Sequence, residues 1–574
     1  MRVRLAVAAL VCVVAGWAPA QAQTVAELRT QAETSKFTEY TTYDNMMKYL
    51  QDLQARSLEM RLGTYGETHS GRTLPYAVFS RPTVTQPWEA WALGKPVIVL
   101  AAGVHGGERT LRESVLILMR ELADRGSEAN RHLDDLVIVV VPQINPDGFS
   151  AQPQPTRGNL WGLDLNRDYM KLEQPEIQSY VQNIILKWAP YLFIDGHNGG
   201  AWPYNLNYQC GSHSAHDQRI TELCDKGIFP AINRRLEAEQ FKAWYYQGGN
   251  AERWNVGGSE PRIGRNYGAF ANSVGILFES PGGQSMEIGV RSGILGYKAV
   301  VEWSRSNRTQ LREVVDRARR ETIALGEKPG DMVPLEVRYE AEPEPAKWFI
   351  AEGQGDNRKA VEVTGQLMKR PVPVVSRPRP YAYVLPREAT EAVALLRRHG
   401  ITVEQLAQAT SLPVQAYTVA GVNYRQEYNH AAAAHVQVGE VLSLTRQFPA
   451  GSYVVRTAQM QGRVVVHLLE PESTDNVIYW NRMDGWLPRP GTTVAAGGDD
   501  DAPAAGAGGR GRGAGAGGAG QAGAGRGAGA AGQAGAGRAG GAPGGGRGGA
   551  PTPPLAPIFK VMAPTPMPLR IIPN

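Results

Sequence analysis

Four consecutive apolar residues, Val97-Ile98-Val99-Leu100, run into His105-Gly106-Gly107-Glu108 and then into apolar positions at Leu111, Val115, Leu118 and Leu122. A run that needs cover on both faces, a glycine corner and a period near that of a helix specify a buried strand, a loop and an amphipathic helix. That order puts His105 and Glu108 at the carboxyl end of a strand in an open α/β sheet, the edge at which such sheets bind ligands. A histidine and a carboxylate three residues apart on a helical turn face the same side. With one more histidine they make the three-ligand set of a catalytic zinc site that keeps a position open for water.

The spacing alone is a weak signal. With 10 His and 55 acidic residues in 574, random placement gives roughly one His-x-x-Asp/Glu, and the chain has His105/Glu108, His132/Asp135 and His467/Glu470. His132 lies in a polar connector. His467 continues the strand pattern of Val464-Val465-Val466, where residues three apart point to opposite faces. Only His105/Glu108 sits at a strand end with glycines that let a metal or substrate approach the backbone.

Met1-Arg2-Val3-Arg4, an apolar segment from Leu5 to Ala18 and then Ala20-Gln21-Ala22 have the basic start, short apolar core and small-x-small site of a secretory signal peptide. The segment is too short for a membrane span and no later apolar run is long enough, so the expectation is a soluble protein, secreted or periplasmic and cleaved near Ala22. Cys12 leaves with that leader, and Ala9-Leu10-Val11 lacks the small residue expected just before a lipidated cysteine. Cys210 and Cys224 remain, either paired across a short loop or present as two buried thiols. The formal charge of +5 becomes 5 − 2 = +3 without Arg2 and Arg4. Five further arginines (510, 512, 526, 538, 547) lie in a low-complexity tract, so no basic stripe points to nucleic acid.

Taken in order, the chain divides into a leader (1–22), an α/β catalytic domain (23–330), an accessory α+β domain (331–494), a Gly/Ala-rich insertion (495–554) and a terminal strand segment that returns to the accessory domain (555–574). The catalytic domain is expected to be a mixed, mostly parallel twisted sheet flanked by helices. Its apolar runs Leu136–Val141, Leu192–Ile194 and Val274–Phe278 end in the Asn145 loop, in Asp195-Gly196-His197 and in Glu279. Four strands thus deliver chemistry to one sheet edge. In the accessory domain, Tyr381–Leu385, Gly451–Arg456 and Arg463–Leu468 read as strands, and Ala389, Val393 and Leu396 form a helical stripe stopped at Gly400. The Gly/Ala tract cannot bury enough apolar surface to offset its ordering entropy and is expected to be disordered. Tyr479-Trp480 through Trp486 reads as domain core or interface in preference to a glycan or peptide platform.

His105-Gly-Gly-Glu108, Asn145-Pro-Asp-Gly148, Asp164-Leu-Asn-Arg-Asp168, Gly196-His197 and Phe278-Glu279, in that order, resemble the carboxypeptidase A-like zinc metallocarboxypeptidases over roughly residues 40 to 325. The resemblance implies one zinc ion per chain on His105, Glu108 and His197, with Glu279 as general base. It implies that Asn166 and Arg167 hold the substrate's terminal carboxylate, that Arg157 stabilises the oxyanion and that Asp164 orients His105. It also implies a substrate-binding tyrosine before the base, here Tyr267, with Tyr246 and Tyr204 as alternatives. The sequence departs from the family pattern at Gly196, often a bulkier residue, and at Asn198, usually serine. The implied function is an exported carboxypeptidase acting on peptides, cell-wall peptides among them. The alternatives are a zinc amidohydrolase or deacylase on N-acyl amino acids and a non-catalytic binding protein on the same fold, against which the intact ligands and base argue.

Overall fold

The computed structural model describes residues 24–353, 355–427, 430–488 and 554–572. The expected leader lies outside them, as does the Gly/Ala-rich insertion apart from Pro554.

Among the described residues, ten strands fall before residue 330: β1 (Met60–Glu67), β2 (Thr73–Phe79), β3 (Val97–Ala102), β4 (Val137–Val141), β5 (Leu192–His197), β6 (Leu206–Cys210), β7 (Ala243–Tyr245), β8 (Gln247–Gly249), β9 (Arg253–Val256) and β10 (Val274–Glu279). Eight of them form one sheet in the order β1-β2-β4-β3-β5-β10-β6-β7. Its centre is parallel, β4 to β3, β3 to β5 and β5 to β10, with antiparallel joins at β1/β2, β2/β4 and β10/β6. Strands β3, β4, β5 and β10 are buried throughout, as continuous apolar runs require.

Because side chains alternate across a strand, these runs feed two cores. Ile98, Leu100 and Ile138 pack with Met46, Val115 and Val300 from the helices Tyr43–Arg56, Thr110–Ala123 and Met286–Ser306. Val97, Val99, Val137 and Val139 face the other way and share their core with Leu385, Leu395 and Val464 from beyond residue 330. Cys210, at the end of β6, is disulfide-bonded to Cys224.

Strands β11 (Met332–Ala341), β12 (Ala346–Glu352) and β13 (Lys359–Pro378) join β9 and β8 in a second sheet. Gln366–Met368 of β13 runs parallel to Arg253–Asn255 of β9, so strands from both sides of residue 330 share it. The third sheet takes β14 (Ala382–Leu385), β15 (Glu404–Leu406), β16 (Thr410–Arg425), β17 (Ala433–Phe448), β18 (Tyr453–Arg456), β19 (Leu555–Val561) and β20 (Leu569–Ile571). β19 pairs with β14 and β16, and β20 with β15.

One element differs from the sequence reading. Residues Gly462–Leu469 form a helix, not a strand. Val464 to Leu469 are all buried, so no solvent face imposes a period by which helix and strand can be told apart. The helix lies against Arg308–Glu327, and the His467 ring meets Phe270 with centroids 4.4 Å apart. Tyr479 and Trp480 are also buried, at 4% and 3% exposure, with Trp480 in cation–π range of Lys171 and Arg262.

Candidate active site

The corner after β3 is closed by the Glu108 N–H donating to His105 O at 3.1 Å, and the helix Thr110–Ala123 follows. A Cβ on Gly106 would lie 2.1 Å from the Gly148 carbonyl carbon, so only glycine lets this corner press on the Asn145-Pro-Asp-Gly148 loop. His105 Nδ1 lies 2.9 Å from Glu108 Oε1. His197 Nδ1 lies 2.9 Å from Glu108 Oε2 and 3.1 Å from His105 Nδ1.

Behind each ring stands a carboxylate. His105 Nε2 is 3.0 Å from Asp164 Oδ1, and His197 Nε2 is 2.9 Å from Asp195 Oδ2, at ion-pair distance though without hydrogen-bond alignment. A carboxylate on the outer nitrogen favours the proton there and leaves the Nδ1 lone pair facing inward, as in a metal-ligating histidine. Two such lone pairs and a carboxylate, with ligand atoms all within 4.8 Å of one another, repel unless a cation lies between them. Two imidazoles and one carboxylate suit zinc with an open fourth position. Among the described residues no other group of three has this geometry; neither His132/Asp135 nor His467/Glu470 belongs to one.

Burial opposes ionisation of Glu108, yet the imidazoles of His105 and His197 outweigh it and hold the carboxyl far below its ordinary range. The same balance holds for Asp164, where His105 and Arg157 prevail over burial. Glu108 Oε2 also accepts the Asn198 N–H at 3.1 Å. The Asn198 side chain spans to Thr110, accepting from its N–H and donating to its Oγ1. This use of an amide at position 198 ties the His197 turn to the start of the helix. At Gly196 a Cβ would come 2.3 Å from the Tyr297 hydroxyl, which accounts for the glycine there.

Glu279 stands opposite His197 in the β10/β5 register, so both reach the same sheet edge. It is 6% exposed and its Oε2 is buried without a hydrogen-bond partner. Burial lifts its carboxyl to about 7, with His197 pulling it down and Glu108 pushing it up. Such a carboxylate takes up and releases a proton near neutrality.

The loop between the Asn145 turn and Tyr169 supplies the other expected residues. Arg157, half-exposed, donates from Nη1 to Glu108 Oε1 at 2.9 Å and from Nε to Asp164 Oδ2 at 3.1 Å. Asp164 caps the short turn Leu165–Arg167 by accepting the Asn166 N–H. Asn166 Oδ1 accepts the Gly264 N–H at 2.9 Å, which leaves its Nδ2 donors to offer a ligand. Arg157 and Asn166 line a polar cavity of about 230 Å³ with His105, Glu108, His197 and Glu279, and its wall also includes Arg167, Tyr246, Ile263 and Arg265. Clefts of about 400 to 460 Å³ elsewhere on the described surface hold neither the His105/Glu108/His197 group nor Glu279.

Tyr267 is not in this cavity. It is fully buried on the inner face of the helix Gly264–Phe270, with its hydroxyl 3.0 Å from His399 Nδ1. It serves the junction with the second half of the chain and offers nothing to a substrate. Tyr204 is also buried, accepting the Phe349 N–H at 2.7 Å. The tyrosine that lines the cavity is Tyr246, its phenol raised to about 12 by burial and then by Glu279. Sequence reasoning also missed Asp195 and Arg265. The signal for Asp195 was present: residues two apart on a strand share a face, so Asp195 is placed to back His197.

Residues 46–264 match the Zinc carboxypeptidase family. Carboxypeptidase 2 of Trichophyton rubrum is 25% identical over 434 residues, covering 71% of this chain and 78% of its own. Cytosolic carboxypeptidase 3 of Mus musculus is 28% identical over 200 residues, covering 33% of this chain and 19% of its own. Among solved structures, a metallo-carboxypeptidase from Burkholderia cenocepacia aligns with 46% of this chain and 69% of its own at 19% identity and a TM-score of 0.37. The chain is therefore a metallocarboxypeptidase, with its zinc carboxypeptidase family domain in residues 46–264.

Proposed function

We propose that the protein is an exported zinc carboxypeptidase that removes the last residue of peptides. The observation that carries this reading is the convergence of His105 Nδ1, His197 Nδ1 and Glu108, each imidazole backed by its own carboxylate, beside the buried Glu279. His105, Glu108 and His197 would hold the metal, and the chemistry zinc supplies when bound is Lewis acidity toward the scissile carbonyl and toward water. Glu279 accepts the proton that water gives up and passes it to the leaving amine, a role suited to a carboxyl raised to about 7 by burial. Arg157, tied to Glu108 and Asp164, presents its guanidinium at the cavity wall for the oxyanion. Arg167 and the Nδ2 of Asn166 bind the terminal carboxylate, for which a planar fork of donors is the natural partner. Export rests on the basic start, apolar core and Ala20-Gln21-Ala22 site of the first 22 residues.

Matched N-blocked dipeptides with free and amidated C-termini test this reading. The zinc-loaded protein is expected to hydrolyse the free acid and to leave the amide essentially intact. Equal rates on the two would transfer the reading to an amidohydrolase that does not recognise a terminus.

A further inference from the structure

The cavity that holds Glu279 also holds a guanidinium with no part in the scheme above. Arg265, the second residue of the helix Gly264–Phe270, is 3% exposed and lines the cavity with Arg167 and Glu279. Its Nη2 donates to Gly258 O at 2.5 Å, its Nε is buried without an acceptor, and among the described residues no carboxylate forms an ion pair with it. Other buried arginines are treated differently: Arg112 pairs with Glu113, Arg262 with Glu427 and Asp475, and Arg379 with Asp331. A buried charge is costly unless paired. At the wall of a ligand cavity, with Glu260 acting on it from nearby but no carboxylate in contact, Arg265 has a free fork for an anion that enters the cavity.

Resting on the carboxypeptidase reading, we propose that Arg265 determines specificity, and that the enzyme prefers peptides whose last residue is glutamate or aspartate. The terminal carboxylate goes to Arg167 and Asn166, so the second anion is the side chain's, and a guanidinium fork receives a carboxylate through two hydrogen bonds. Ile263 and Leu277 line the same cavity and give a short methylene stem an apolar wall. Glu260 borders it too, half-buried, with its Oε2 unbonded. It would attract a cationic side chain, but its charge is already offset by the Arg265 guanidinium on which it acts.

The test is kcat/KM of the zinc-loaded full-length protein on N-blocked dipeptides identical except for a last residue of Glu, Gln, Leu or Lys. Glu is expected to exceed its isostere Gln by at least about tenfold, the discrimination of a buried charged site against a ligand that lacks the charge, and Arg265→Gln is expected to close that gap. Equal rates on Glu and Gln, or a wild-type preference for Leu or Lys, overturn the proposal without any variant having to fold. A folded Arg265→Gln that retains zinc but loses all four substrates in proportion also overturns it, assigning Arg265 to the terminal carboxylate. Hydrolysis of none of the four overturns the carboxypeptidase reading and this inference with it, whereas hydrolysis without the acidic preference overturns the inference alone.

Discussion

At the scale of single residues, Asp195 and Glu279 lie near the same group, His105, Glu108 and His197, and are placed differently. Asp195 backs His197 from the side away from the cavity, whereas Glu279 lines the cavity with a bare oxygen. Asp195→Ala is therefore expected to weaken zinc binding by about 10- to 100-fold, the usual effect of losing a carboxylate behind a ligating histidine, as read by competition with a chelator. Glu279→Gln is expected to keep its zinc and lose about 10²- to 10⁴-fold in kcat, the range of a general-base step. Should Glu279→Gln remain active, Glu279 is a structural acid. The placement of His105, Glu108, His197 and Glu279 was legible in the sequence because buried parallel strands end abruptly, and their carboxyl ends lie on one edge. Arg265 and Tyr267 were not legible. They lie two residues apart, on opposite sides of the same short helix, and which of the two faces the cavity is set by the helix's orientation against residues more than a hundred positions away.

At the scale of elements, the helix Gly264–Phe270 mediates between the cavity and the second half of the chain. One side carries Arg265. The other carries Tyr267, whose hydroxyl meets His399 Nδ1 at 3.0 Å, while His399 Nε2 lies 3.0 Å from Met170 O. Met170 O can only accept, so Nε2 carries the proton and Nδ1 takes the tyrosine hydroxyl. Burial lowers the His399 pKa from 6.5 to about 4. The folded form is thus harder to protonate than the unfolded one, so the unfolded chain binds more protons between these values. The stability held above pH 6.5 is lost as pH falls toward 4, at most about 3 kcal/mol from this residue. Urea midpoints at pH 7.5 and 4.5 are expected to converge partly in His399→Gln. An undiminished difference would assign the acid sensitivity to other groups, such as His213, His216 and His467, whose pKa values burial also lowers. The helix Gly462–Leu469 shows why some elements resist reading: burial on every side erases the pattern that names them.

At the scale of the whole molecule, residue 330 marks a change in composition that the packing does not respect. One apolar core runs from Val97 and Val139 through Phe270 to Leu385, Leu395 and Val464, β9 takes β13 as its neighbour, and Arg463 donates to Asn272 Oδ1 at 3.2 Å. The cavity wall is held from the same direction. Arg262, between Glu260 and Arg265, is 3% exposed and reaches Glu427 Oε2 at 2.9 Å, Asp475 Oδ1 at 2.9 Å and Thr474 O at 2.7 Å. Removing everything after residue 330 would strip from one face of the first sheet the cover that Leu385, Leu395, Val464 and their neighbours provide. Each large apolar side chain so exposed forfeits about 1.5 to 3 kcal/mol, against a total stability of about 5 to 15 kcal/mol for a domain, so a handful suffices to unfold it. A chain ending at residue 330 is therefore expected to lack near-ultraviolet circular dichroism, to be degraded rapidly by protease and to show no hydrolysis. If that fragment were instead folded and active, the second half would be an attachment, and the hold on Arg262 would play no part in shaping the cavity.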